Sequence, residues 1–239
     1  MQQVKLNKRE LPYDVNEAMK LLRTNLQFYG KDKKVILLTS TVADEGKSTV
    51  SMNLCTSLAQ LGSRVLLIDA DMRKSVLEST SLQGAKDLPG LSYLLAARSS
   101  LEEVLLTTDV QDFHLILAGR VPPNPTELLS SPRMEKLIEI CRNEYDYVIV
   151  DCPPINLVVD AAIVAPMCDG ILLVVHSGSI PYRMAQNAVR QLEATGTPIL
   201  GAVLNMIEKK NDKYYYRKGY YQKEYGDYYG QGNRKRRKG

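Results

Sequence analysis

A three-layer α/β fold with a doubly wound, mostly parallel sheet is predicted by two features of the chain. The first is alternation: apolar runs at 35–38, 65–68, 147–150, 171–175 and 199–204 are separated by segments with helical spacing. Continuous apolar runs are what a parallel strand covered on both faces requires. The second is what stands at the ends of these runs. The first leads into Gly46-Lys47-Ser48-Thr49, the second into Asp69 and Asp71, the third into Asp151. Open sheets of this kind bind ligands outside the carboxyl ends of their strands, so the three ends point to one site.

Taken in order, residues 1–12 are polar and predict an arm. A helix follows over 13–29, with Asp14 as its cap and Val15, Met19, Leu22 and Leu26 at helical spacing. Its other face carries Glu17, Lys20 and Arg23, three apart, which by themselves read as a solvated face with i,i+3 pairs.

The stretch 35–49, VILLTSTVADEGKST, is a strand, a polar loop and Gly-Lys-Ser, with a helical pattern from Val50. That context predicts a phosphate-binding loop spanning Asp44, Glu45, Gly46, Lys47, Ser48 and Thr49. Its amides and the positive end of the helix would face phosphate. Lys47 would bridge the β- and γ-phosphates, and the Ser48 hydroxyl would hold Mg²⁺. Thr41 stands where the usual motif has its first Gly.

The helix is expected to stop at Gly62. Residues 65–73 read VLLIDADMR, and ending a buried strand in two carboxylates is costly unless they bind something. Two short helices are expected over 88–106, and a strand over 113–117. A proline-stiffened loop, 119–125, gives a helix start at Pro125, and a further helix covers 135–142. The run ending in Asp151-Cys152-Pro153-Pro154 reads as a Walker B strand whose Asp orders Mg²⁺. A helix from Asp160, a strand at 171–175, a helix at 183–194 stopped by Gly196 and a strand ending before Asn205 complete the pattern. His114, His176 and Cys152 read as structural.

Of 239 residues, 44% are hydrophobic and 24% charged, which fits a globular domain with one large core. The net charge of +4 is unevenly spread. Residues 207–239 hold eleven Lys/Arg against four Asp/Glu, or +7; the rest hold twenty against twenty-three, or −3. Four scattered cysteines with no C-x-x-C fit reduced thiols in the cytosol and argue against a zinc or iron–sulfur site. No apolar run approaches the ~20 residues of a membrane helix, so a cytoplasmic location is expected.

After Ile207 aliphatic residues vanish, and Tyr214, Tyr215, Tyr216, Tyr220, Tyr221, Tyr225, Tyr228 and Tyr229 supply eight of the fourteen tyrosines. Such a tail should be disordered. By composition it could stack on single-stranded nucleic acid, be a low-complexity appendage, or present hydroxyls to a phosphoryl-transfer site.

Nearly the whole chain resembles the cytoplasmic bacterial tyrosine kinases of Gram-positive capsule and exopolysaccharide synthesis, a P-loop branch related to MinD/ParA ATPases. The resemblance rests on the Walker A segment 40–49, LLIDADMR at 66–73, VIVDCPP at 148–154, PPNPTELLSS at 122–131 and the tyrosine-rich tail. It implies that ATP and Mg²⁺ are used, with Lys47, Asp69, Asp71 and Arg73 as the catalytic group. Ser48, Asp71 and Asp151 would organise the metal, Asp69 would accept the tyrosine proton, and Arg73 would support the transferring phosphate or metal shell. Asn205 would face the adenine edge.

It further implies that the eight tail tyrosines are phosphoacceptors and that Glu17, Lys20 and Arg23 join subunits into a ring, so that one tail enters the next site. A membrane adaptor that recruits and activates the enzyme and a phosphotyrosine phosphatase are the implied partners; no nucleic acid is expected. Lys20 stands where the family's E-x-x-R-x-x-R has its first Arg, and Ala43-Asp44 where its loop has Pro-Gly. The rival class is a MinD/ParA-type switch ATPase. Its K-G-G-x-G-K-T lysine is absent here, since the matching position is Val42.

Overall fold

The computed structural model describes residues 2–7, 10–30, 32–83 and 88–207. The elements in chain order are β1 (Gln2–Gln3), β2 (Lys5–Leu6), α1 (Tyr13–Phe28), β3 (Val35–Ser40), α2 (Lys47–Ala59), β4 (Val65–Asp69), α3 (Leu77–Ser81) and β5 (Leu82–Gln83). There follow α4 (Leu91–Leu95), α5 (Leu101–Val104), β6 (Leu105–Thr107), β7 (Phe113–Ile116), α6 (Pro125–Leu129), α7 (Pro132–Glu144) and β8 (Tyr147–Asp151). The last are α8 (Asp160–Val164), a 3₁₀ turn Ala165–Met167, β9 (Gly170–His176), α9 (Tyr182–Glu193) and β10 (Ile199–Asn205). The chain divides after Asn205, and the second unit, from Met206, lies almost wholly outside the described residues.

Eight strands form one sheet in the order β1-β6-β7-β4-β8-β3-β9-β10, parallel throughout except for the β6–β7 pair. All six residues of β3 are buried at its centre. Side chains alternate between faces, so each strand feeds two cores. Leu37, Leu66, Ile68, Val148 and Val150 pack on one side with Met134 and Leu137 of α7 and Leu192 of α9. Ile36, Leu38, Leu67 and Ile149 pack on the other with Leu26 of α1 and Leu54 and Leu58 of α2. Each fully buried aliphatic side chain contributes about 1.5–3 kcal/mol, and these two layers hold the helices on the sheet.

β8 is inserted between β3 and β4. The connection through α2 therefore passes over β8, and Asp151 ends beside both the β3 loop and Asp69.

Four local expectations change. The N-terminal segment expected as an arm contributes strand β1, parallel to β6, and β2, antiparallel to β5, with Val4 and Leu6 buried. Its backbone, rather than its side-chain pattern, makes these pairings. Residues at the end of the second predicted short helix form β6, because their backbone closes an antiparallel ladder with β7. Pro12, not Asp14, caps α1; Asp14 lies in the first turn, where its charge suits the helix dipole. α7 begins at Pro132, earlier than the predicted 135, proline being suited to a first helical position.

Candidate active site

The loop after β3 enters α2 through Gly46, whose φ of 78° is left-handed, and no side chain caps this helix end. The first-turn amides have no intrahelical acceptor, so the end suits an anion. Asp44, side chain exposed, also has a positive φ, 64°. Asp tolerates that region better than most residues, which explains how it occupies a position where the resembling loops carry Gly.

Glu45 is 1% exposed and points inward. Its Oε2 accepts from the Thr41 amide at 2.6 Å, the Thr41 hydroxyl at 2.6 Å and the Val42 amide at 3.0 Å. Its Oε1 accepts from the His176 amide at 3.0 Å. The Asn205 side-chain amide donates to the Glu45 carbonyl at 2.9 Å. Thr41, at the position of the usual first glycine, is thus half of an internal clamp tying the loop to the ends of β9 and β10.

Lys47 is 7% exposed and its Nζ lies 2.9 Å from Asp151 Oδ1. Burial alone would lower its pKa; the adjacent Asp151, helped by Asp69 and Asp71, outweighs this and raises it. The Ser48 hydroxyl donates to Asp151 Oδ2 at 2.6 Å, and Ser51, one helical turn on, donates to Oδ1 at 2.9 Å. Thr49 is exposed in the same turn. Asp151 is fully buried, and three partners stabilise its charge.

Asp69 is the register partner of Asp151 on the neighbouring strand. Desolvation, then the like charge of Asp151, push its pKa up to about 7, opposed by a hydrogen bond from the Ser75 hydroxyl to Oδ2. Its Oδ1 accepts from the Asp71 amide at 3.2 Å. Asp71 is buried and accepts from the Lys74 amide at 3.0 Å. Arg73 turns onto Asp160.

Among the described residues no group of three or more His, Cys, Asp and Glu forms a self-contained metal cage. The oxygen donors Ser48, Asp71 and Asp151 fit Mg²⁺, which keeps several waters and is held by one or two carboxylates together with substrate phosphates.

Lys47, Ser48, Asp69, Asp71 and Asp151 are therefore brought to one end of the sheet. Glu17, Lys20 and Arg23 lie on α1. Lys20 bonds Glu17 at 2.7 Å on an exposed face. Arg23 donates inward to the Ser57 carbonyl at 2.8 Å and hydroxyl at 3.1 Å, and its Nε is buried without a partner. The eight tail tyrosines fall outside the described residues.

Sequence reasoning missed Ser51, Ser75, Thr126 and Asp160 as partners of the site. Only Ser51 carried a signal, its i,i+3 spacing from Ser48 on a helix. Cys152 is fully buried with its pKa pushed up by desolvation, and all four cysteines are buried free thiols. His114 Nδ1 lies 2.7 Å from the Tyr145 hydroxyl, far along the chain from the phosphate loop.

Fold and site define a P-loop protein built to bind a nucleotide at the carboxyl ends of its strands. Residues 33–195 match the family described as an AAA domain. The chain is 41% identical over 223 residues, 92% of each chain, to the tyrosine-protein kinase CpsD of Streptococcus agalactiae. It superposes on the kinase domain of the Escherichia coli tyrosine kinase ETK with a TM-score of 0.77 and 35% identity, covering 83% of this chain and 78% of that one. The septum site-determining protein MinD of Pyrococcus horikoshii, complexed with Mg-ADP, shares the fold at a TM-score of 0.61 and 22% identity, covering 78% and 76%. The chain belongs to the bacterial tyrosine kinase family, of the CpsD type found in Gram-positive bacteria.

Proposed function

We propose that the chain transfers the γ-phosphoryl group of ATP to tyrosines of its own C-terminal segment, Tyr214, Tyr215, Tyr216, Tyr220, Tyr221, Tyr225, Tyr228 and Tyr229, each tail entering the site of an adjacent subunit. The observation that carries this reading is the cluster in which Lys47 and Ser48 both bond Asp151 while Asp69, its carboxyl near neutrality, stands one strand away.

The phenolic oxygen bonds to the γ-phosphorus as the bond from that phosphorus to the bridging oxygen breaks, and ADP leaves with the bridging oxygen. Asp69 takes the phenolic proton, which at an ordinary tyrosine pKa of ~10 does not leave unaided at neutral pH. Lys47 and the loop amides from Asp44 to Thr49 hold the phosphates, and Asn205 offers Oδ1 to the adenine amino group. Ser48, Asp71 and Asp151 would hold Mg²⁺, which when bound would supply neutralisation of phosphate charge. The protein's share is positioning and charge stabilisation.

Ring assembly would use the α1 face of Glu17, Lys20 and Arg23. Each phosphate adds roughly −1.5 to −2 charge, so about four or five would reverse the tail's +7 and set it against the acidic body. That repulsion would release tails and open the ring. The expected setting is the inner face of the membrane, with a membrane adaptor as activator and a phosphotyrosine phosphatase as opponent, in control of capsule or exopolysaccharide polymerisation and export. Family membership supports these partners, and no helix among the described residues is long and apolar enough to cross a membrane by itself.

The test is incubation with ATP and Mg²⁺, with and without a peptide of the adaptor's cytoplasmic end, mapping phosphate by mass spectrometry beside Lys47→Met. Phosphate on Tyr214–229 that vanishes in the variant is expected. ATP hydrolysis without phosphotyrosine would overturn the reading in favour of a switch ATPase.

A further inference from the structure

Arg73 leaves the loop after β4 and does not stand free. Its Nε donates to Asp160 Oδ2 at 2.7 Å and its Nη2 to Asp160 Oδ1 at 3.0 Å. The same Nη2 donates to the Thr126 hydroxyl at 2.7 Å, which itself lies 3.0 Å from Asp160 Oδ1. Asp160 is fully buried while Arg73 is 38% exposed, so one side of the pair is fixed and the other is open. Asp160 begins α8 after β8, and Thr126 lies in the first turn of α6 after β7. Three strand-end connections, after β4, β7 and β8, thus meet at one guanidinium, which lies two residues along from Asp71 and within reach of its charge.

We propose that Asp160, assisted by Thr126, is a positioning residue for phosphoryl transfer: it fixes Arg73 at the reacting phosphate without touching the nucleotide. This rests on the kinase reading above. A two-pronged carboxylate matches the planar fork of arginine and holds it in one orientation, which a lysine or a single bond would not. Arg73 otherwise carries several rotatable bonds, and a displacement of ~1 Å at a reacting centre can cost about 100-fold in rate. The blander alternative is an ion pair that merely ties three loops together. It predicts that both changes lower stability and ATP affinity while the folded protein keeps its kcat.

The full chain is assayed with ATP and Mg²⁺ for initial rate of phosphotyrosine formation. Asp160→Asn should lower kcat about 10- to 100-fold with KM for ATP changed less than about threefold. Thr126→Val, which leaves the buried ion pair in place, should lower kcat several-fold in the same manner. In an Arg73→Ala background both changes should have almost no further effect. Equal loss in both backgrounds, or loss confined to KM, would overturn the proposal.

A second measurement needs no turnover: the ¹⁵N–¹H Nε resonance of Arg73 with ADP and Mg²⁺ bound. A single slowly exchanging signal that is lost in Asp160→Asn is expected; an averaged signal in the unaltered protein would refute the positioning role. Absence of phosphotyrosine in the unaltered protein would instead count against the kinase reading, and the resonance would then still show whether Asp160 holds Arg73 in one orientation.

Discussion

Asp69 and Asp151 occupy matched positions on adjacent parallel strands, two carboxyl groups side by side at the edge of a buried core. The site gives Asp151 three partners, Lys47, Ser48 and Ser51, and Asp69 carries the cost of the pairing. Asp69, raised to about 7, binds a proton in the nucleotide-free folded chain that the unfolded chain loses near pH 4. Stability should therefore fall as pH rises from about 4 to 7, the penalty being complete above 7. Asp69→Asn should abolish kinase activity and raise stability at pH 8 by about 1–3 kcal/mol, with little gain at pH 4.5. Urea titrations at the two pH values check this; equal gains at both would show that Asp69 is not the strained carboxyl.

Lys47→Met should do more than remove a phosphate contact. It leaves the fully buried Asp151 without its cation, a change that costs about 3–5 kcal/mol when no partner remains. The two serine hydroxyls should keep the loss near the lower figure. Lys47→Met with Asp151→Asn should recover much of the stability but none of the activity. Thermal melts beside phosphotyrosine assays separate the two effects.

Glu45→Ala should free three backbone amides and the Thr41 hydroxyl from their common acceptor. Stability should drop by about 1–3 kcal/mol, the cost of leaving buried donors unsatisfied. Affinity for a fluorescent ATP analogue should fall about tenfold as the loop loses its set shape, since 1.4 kcal/mol corresponds to that factor. An unchanged affinity would mean that the loop holds its form without the clamp.

Asp44→Gly should be neutral for folding, because the left-handed backbone at this position suits glycine, whereas Asp44→Ala should cost about 1 kcal/mol. Both remove a carboxylate next to the phosphates, so both should tighten ATP binding several-fold. Calorimetric titration distinguishes the shared charge effect from the separate backbone effect.

On α1, Lys20→Ala should leave the melting temperature within a degree or so, since an exposed i,i+3 pair contributes only a few tenths of a kcal/mol. Arg23→Ala should lower it, because Arg23 bonds the carbonyl and hydroxyl of Ser57. If the ring forms through this face, native mass spectrometry should show Lys20→Ala weakening assembly without loss of fold.

The central strands were legible because a parallel strand buried on both faces must be apolar along its length, and because each ended in residues that a core does not accept without a ligand. β1, β2 and β6 were not, since they are two or three residues long and held by backbone groups that any side chain permits. The cluster of Lys47, Ser48, Asp69, Asp71 and Asp151 was legible for the same reason as the strands that carry it. The bond from Arg73 to Asp160 was not: 87 residues separate the pair, and Asp160 by itself reads as an ordinary helix start. Glu45 was legible as part of the loop but not as an inward-facing anchor, because a glutamate between Asp44 and Gly46 looks like a solvent-facing turn residue.

All four thiols of the chain are shut away from solvent, and burial raises the pKa of each. The unaltered protein should thus be almost silent to maleimide and to mild oxidants. A single cysteine placed on the open face of α1 would be the one reactive thiol among the described residues. A dye or spin label there could then report on association between chains with no need to strip out native sulfur first.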